Sequence, residues 1–272
     1  MHNPSAADAR DVLKATSRTF FLPIDDLPPG LRETVMAAYL THRAIDEIED
    51  HPELEDQAKD WLLSTLSAGI RAAVGGEDFM ACFGDAARQL PEVTLRLDEW
   101  LALAPADIAP RVWETTASMA ERMASWARSH WRIRTPADLC RYTFDVAGSI
   151  GLLLCDVHAW YDGTIAPRAE AVAFGRGLQS VNIALDVDKD RARGQRFLPD
   201  GWGTPDLLSF ARVQLARGRS YQNALPPGGP AHAFTRIPLE LAWASLRVIE
   251  DSGRRLTRPE VEEIVAKARA GV

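Results

Sequence analysis

Two acidic clusters have a spacing that could do chemistry. In Arg43-Ala44-Ile45-Asp46-Glu47-Ile48-Glu49-Asp50, the two aspartates stand four residues apart, so on a helix their carboxylates lie one above the other. Like charges at that spacing repel and cost stability unless a cation sits between them. Ile45 and Ile48 flank the pair, so this is not a uniformly solvated face. The second cluster, Asn182-Ile183-Ala184-Leu185-Asp186-Val187-Asp188-Lys189-Asp190, places Asn182, Asp186 and Asp190 at i, i+4 and i+8, an oxygen-ligand stripe over two helical turns. Amide and carboxylate oxygens suit Mg2+, with Mn2+ the alternative ion; Mg2+ keeps several waters and completes its shell with substrate phosphate. Arg191, Arg193 and Arg196 follow and are suited to diphosphate oxygens. One such aspartate pair is ordinarily a solvated acidic face. Two, each ending an otherwise apolar helix, fit the release of diphosphate from a substrate with a charged head and a long hydrocarbon tail.

Apolar residues at three- and four-residue spacing predict the helices that must carry these clusters, over 30–49, 56–73, 107–129, 136–158, 167–190, 206–224 and 234–252. Thr135-Pro136 and Thr204-Pro205 mark starts, with threonine as N-cap and proline in the first turn. Breaks fall at Gly75-Gly76, Pro105, Pro167, Gly201-Trp202-Gly203 and Pro226-Pro227-Gly228-Gly229-Pro230. No strand alternation, internal repeat or low-complexity tract is present, and no break has the length of an interdomain linker. The expectation is one all-α domain over residues 1–272, a helical bundle. Helices 136–158 and 167–186 are apolar on more than one face and belong at its centre. The small residues Ala147, Gly148, Ser149 and Gly151 admit a neighbouring helix or a bulky apolar ligand; helix packing is the simpler occupant.

With 272 residues, 46% of them apolar, the chain can build one large core or two small ones. Its net charge of −7 disfavours a nucleic-acid partner, yet divalent cations can bridge acidic residues to a phosphorylated substrate. No apolar run reaches membrane-span length, and Met-His-Asn-Pro-Ser lacks the features of a signal peptide. Cys82, Cys140 and Cys155 have no metal-ligand spacing and are odd in number, which fits reduced thiols in a cytoplasmic protein. Met119, Met123, Trp113, Trp126 and Trp131 read as core. His42 and Asp145 adjoin the motifs without a clear chemical task, and no dinucleotide-binding glycine loop occurs.

Several segments, in order, resemble the squalene and phytoene synthases. Ser17-Arg18-Thr19-Phe20 is similar to that family's Ser-x-x-Phe segment, and Tyr39 through Asp50 to its Tyr-x-x-x-Arg-x-x-Asp-x-x-x-Asp segment. Tyr142-Thr-Phe-Asp-Val146-Ala147-Gly148-Ser-Ile-Gly151 resembles Tyr-x-x-x-Val-Ala-Gly-x-x-Gly, and Leu178 through Asp190 the second aspartate motif. Gly194 through Pro199 fits the following loop, and Phe234-Thr-Arg-Ile237-Pro238 with Ala242 and Leu246 looks more like the squalene branch.

The resemblance implies the isoprenoid synthase bundle with a central apolar cavity. It also implies head-to-head condensation of two farnesyl or geranylgeranyl diphosphates through a cyclopropyl intermediate, giving squalene or a related product. By position, Asp46, Asp50, Asn182, Asp186 and Asp190 would bind metal, with Asp46 and Asp186 central to catalysis. Arg18 and Arg43 would contact diphosphate, with Arg193 and Arg196 beside the second motif. Tyr39 and Tyr142 would line the reaction centre, and Ser17, Phe20, Phe21, Val146, Gly148 and Gln179 would shape the substrate site. NADPH serves some members as hydride donor, and an apolar product implies peripheral membrane contact. The chain departs from the family pattern at Leu185, where an arginine is usual, at Gln195, where an arginine often follows the loop glycine, and at Lys189, where glutamate is common. Leucine cannot reproduce arginine's fork of donors, so the resemblance also leaves open a divergent member that ionises one prenyl diphosphate and cyclises or transfers it.

Overall fold

The computed structural model describes residues 6–17, 19–72, 83–84, 86, 88–192 and 195–270. Among the described residues every regular element is helical. The chain forms two compact units, Met1–His130 and Trp131–Val272.

The first unit contains α1 (Ala6–Thr16), α2 (Phe21–Asp25), α3 (Leu31–Glu49), α4 (Asp56–Ala72), α5 (Glu92–Leu95), α6 (Leu97–Leu101) and α7 (Ala109–Arg128). Gly30, at φ 83°, starts α3, and its N–H donates to the Glu33 carboxylate; only glycine takes that backbone without strain. Leu31, Val35, Leu40, Ala44, Ile45 and Ile48 bury one broad face of α3, the i, i+3/i+4 pattern expected of a core helix. Ala44 packs with Ile70, Leu97, Leu101 and Ala117, joining α3 to α4, α6 and α7. At the α3–α7 crossing the Thr41 and Thr116 hydroxyls hydrogen-bond at 3.0 Å. Met119, Met123 and Trp126 are buried core, as expected. Trp113 is partly buried and donates to the Leu101 carbonyl.

The second unit contains α8 (Pro136–Thr143), a π turn (Phe144–Gly148), α9 (Ser149–Asp162), α10 (Arg168–Ala192), α11 (Thr204–Ala224), α12 (Pro230–Ser252) and α13 (Arg258–Ala270). Thr135 caps α8, accepting from the Asp138 N–H while Asp138 accepts from the Thr135 N–H. Thr204 is not the cap of α11: it is the first helical residue and Gly203 caps, donating its N–H to the Asp206 carboxylate at 2.9 Å. A carboxylate three residues into the helix suits the extended glycine better than the threonine hydroxyl.

The helix expected over 136–158 is interrupted by the π turn, which falls within Tyr142 to Gly151. Its neighbour is α10. A Cβ on Gly151 would overlap the Ala171 carbonyl, and one on Gly175 the Ala147 carbonyl. The small residues thus admit a helix at backbone contact, and Trp131 is buried in this unit.

Candidate active site

The first unit gathers the N-terminal candidates around α3. The Ser17 hydroxyl oxygen accepts from the Phe20 N–H at 2.9 Å, fixing the turn into α2. The Tyr39 ring packs tilted against Phe20, centroids 6.0 Å apart, and its hydroxyl donates to the Thr16 carbonyl at 3.2 Å. Burial raises the Tyr39 phenol above its ordinary value. Phe21 is turned elsewhere, under the cations of Arg10 and Lys14. Arg18 lies outside the described residues.

One to two turns along α3, Arg43 pairs with Glu47. Burial works against the Arg43 charge, but Asp46 and Glu47 outweigh it and the guanidinium is held above its usual value. Asp46 is the unusual group. Its Oδ1 is sealed from solvent and accepts no hydrogen bond. Burial pushes its carboxyl up to about 7, Arg43 opposes that, and Asp50 and Glu47 add to it. Buried acceptors are normally satisfied, so this oxygen suits a missing positive partner. Asp50 closes the helix and is exposed. His42 is buried behind the motif, its Nδ1 paired with the Ala38 carbonyl and its ring held neutral, at about 4, by burial.

In the second unit Tyr142 is buried and stacks on Phe197 at 4.9 Å and 20°. The π turn between Tyr142 and α9 sets this ring apart from the helix's regular register. Val146 is buried, and Gly148 abuts Phe144 and Val172. Asn182, Asp186 and Asp190 share one face of α10, Asn182 exposed and the other two half-buried. Asn182 Nδ2 donates to Gln179 Oε1 at 3.5 Å. Arg196 turns to its own loop, donating to the carbonyls of Trp202 at 3.0 Å and Pro199 at 3.4 Å. Arg193 lies outside the described residues.

Arg255, which sequence reasoning missed, reaches the second motif from the segment between α12 and α13. Its Nη2 donates to Asp186 Oδ1 and to the Leu185 carbonyl, each at 2.7 Å. Nothing in the pattern around Arg254-Arg255 distinguishes one from the other; only the Thr257-x-x-Glu260 capping signature of the next helix hints that the segment is ordered. Among the described residues no three acidic, histidine or cysteine side chains converge to enclose an ion by themselves. The oxygen-only donor set of each motif, with Asp46 Oδ1 unsatisfied, fits a hard divalent cation that takes one or two carboxylates and leaves positions for phosphate.

A family model described as squalene/phytoene synthase matches residues 13–204. A bifunctional lycopene cyclase/phytoene synthase of Pyrenophora tritici-repentis is 25% identical over 279 residues, covering 92% of this chain and 45% of that protein. A squalene synthase of Eremothecium gossypii is 28% identical over 226 residues, covering 77% of this chain and 50% of that protein. The chain thus spans half or less of the length of these two relatives. In fold it is similar to TcSQS in complex with the ligand E5700, with a TM-score of 0.77 at 19% identity, covering 96% of this chain and 84% of that one. A match running through both aspartate motifs, on an all-helical chain of this fold, means that the protein belongs to the squalene/phytoene synthase family.

Proposed function

We propose that this chain is a Mg2+-dependent prenyltransferase that joins two farnesyl-type diphosphates head to head, through a cyclopropylcarbinyl diphosphate, to squalene or a related C30 product. The observation that carries the reading is Asp46, a half-buried carboxylate with an unsatisfied oxygen and a charged repulsive neighbour one turn on. Asp46, Asp50, Asn182, Asp186 and Asp190 would hold the ions, as parts of one catalytic domain. When bound, Mg2+ supplies the charge neutralisation that lets diphosphate depart.

The chain's own residues do the rest. Arg43 remains charged beside Asp46 and donates to diphosphate oxygens. Diphosphate leaves C1 of one substrate with its bonding electrons, and the C2–C3 double bond of the other attacks the resulting cation; loss of a proton closes the cyclopropane. Tyr39 and Tyr142 would line the reaction centre, where an aromatic ring favours a neighbouring cation electrostatically. A second ionisation rearranges the intermediate, which is quenched by proton loss, by water or by hydride from NADPH. An apolar product of this kind leaves into lipid or to a partner; no helix among the described residues is long and apolar enough to cross a membrane.

Leu185, packed into the second unit's core, and Arg196, tied to its loop, favour a second reading in which one prenyl diphosphate is ionised and then cyclised or transferred. Incubating the protein with Mg2+ and labelled farnesyl or geranylgeranyl diphosphate, with and without NADPH, separates the two. A C30 or C40 product supports condensation, and a C15 or C20 terpene or adduct supports the alternative. Absence of diphosphate release refutes both. Asp46→Ala and Asp186→Ala are each expected to abolish release without unfolding the protein.

A further inference from the structure

The second motif lacks the arginine usual at position 185. Leu185 instead packs against the core of α10 and α11. Arg191 is occupied at the exposed surface with Asp188, and Arg196 with loop carbonyls. A guanidinium nevertheless reaches Asp186, 69 residues along the chain, from Arg255.

An exposed ion pair is by itself weak, and the Arg255 and Asp186 side chains are 55% and 35% exposed. Two features distinguish this one. The same Nη2 also donates to the Leu185 carbonyl, so the carboxylate is held relative to the α10 backbone rather than to a free side chain. The segment that delivers Arg255 is itself built. Gly253, at φ 66°, ends α12, and Arg254 binds Glu260 through two hydrogen bonds of 2.8 and 2.7 Å. Leu256, Val261 and Ile264 pack on Ile237 and Leu241 of α12. Among the described residues Asp186 Oδ2 has no partner.

We propose that Arg255 is a positioning residue for the second aspartate motif: it fixes Asp186 through Oδ1, so that Oδ2 is presented to the divalent cation, and it supplies from the C-terminal segment the guanidinium that position 185 lacks. The proposal rests on the metal-site reading above. Hydrogen bonds to a ligating carboxylate commonly change metal affinity by about 10- to 100-fold. Lysine would substitute only in part: it keeps the charge and N–H donors but, on its flexible stem, not the fixed planar geometry in which the guanidinium holds them.

The test titrates Mn2+ into the full-length protein in the presence of inorganic diphosphate, followed by electron paramagnetic resonance. Arg255→Met, which keeps the apolar stem, is expected to weaken Mn2+ binding roughly 10- to 100-fold with an unchanged thermal midpoint. Arg255→Lys should recover part of that loss, and Arg258→Ala, removing an exposed charge from the start of α13, should leave the affinity unchanged. With farnesyl diphosphate as substrate, the loss should appear in the Mg2+ concentration for half-maximal rate and not in KM at saturating Mg2+. Unchanged Mn2+ affinity in Arg255→Met, equal weakening by Arg258→Ala, or a loss confined to KM would overturn the proposal. Parent protein that binds no Mn2+ overturns the metal reading with it. Parent protein that binds Mn2+ but releases no diphosphate refutes only the proposed reaction, and the Arg255 series is still read from the titration.

Discussion

Asp46 is placed under opposed demands. Burial and the charges of Asp50 and Glu47 favour its protonated form, whereas the metal ligation proposed for it needs the carboxylate. Its folded value of about 7 lies above the unfolded value near 3.9, so the folded state binds the proton more tightly. Stability from this group is therefore complete below about pH 4 and lost as pH rises through about 7. Asp46→Asn removes that dependence. In metal-free buffer at pH 8 the variant should be more stable than the parent by roughly 1–3 kcal/mol, with no such gain at pH 4. Its Mg2+-dependent diphosphate release should fall by about 100-fold or more. Denaturant titrations at the two pH values check the first claim; an equal difference at both would remove ionisation as the cause. At this scale the shared face of Asp46 and Asp50, and that of Asn182, Asp186 and Asp190, were legible because helical spacing alone puts them there. Arg255 was not, since its partner is chosen by how α12 and α13 fold back, which no local pattern encodes.

Helix crossings carry the next level. The contact of α10 with α9 and with the π turn before it depends on the absence of side chains at Gly151, which meets the Ala171 carbonyl, and Gly175, which meets the Ala147 carbonyl of the π turn; an added Cβ would strike backbone that cannot swing aside. Gly151→Ala and Gly175→Ala should each cost about 1–3 kcal/mol or more. Gly148→Ala should cost less, because the nearest atoms are in the Phe144 and Val172 side chains, both at 3.2 Å, and the Val172 carbonyl oxygen stands farther off at 3.4 Å. Midpoints of chemical denaturation would rank them, and a Gly175→Ala variant as stable as the parent would contradict the crossing. The long amphipathic helices were readable to within a few residues. Short α2, α5 and α6 offer too few turns for a period to emerge, and α1 and α13 are polar enough that only capping residues such as Thr257 and Glu260 announce them. The π turn escaped because its residues keep the apolar character of the helix around them.

For the whole molecule, among the described residues each compact unit buries one histidine that its folded state holds neutral. Burial depresses His42 and His158 to about 4, below the unfolded value near 6.5. The unfolded chain then binds more protons, so the stability these groups provide is present above about pH 6.5 and lost as pH falls towards 4. Each contributes up to about 3 kcal/mol over that range. Thermal scans of His158→Gln should show a flatter acid limb than the parent, and an identical slope would mean that His158 is not the titrating group. The boundary at His130 was not announced in the sequence: it has no proline- or glycine-rich linker, and which helices pair over long distances decides it. All-helical composition and family, by contrast, could be read directly, from periodicity and from motifs that do not depend on packing. One local irregularity reaches far beyond its own position. A π turn amounts to a surplus residue in an otherwise α-helical run, and each residue advances a helix by about 100°. Excising one residue between Phe144 and Gly148 would yield a more regular helix while rotating Tyr142 out of phase with Gly151. When this chain is aligned with a relative that lacks the surplus residue, the gap belongs inside a buried helix, where alignment habit would least expect an indel.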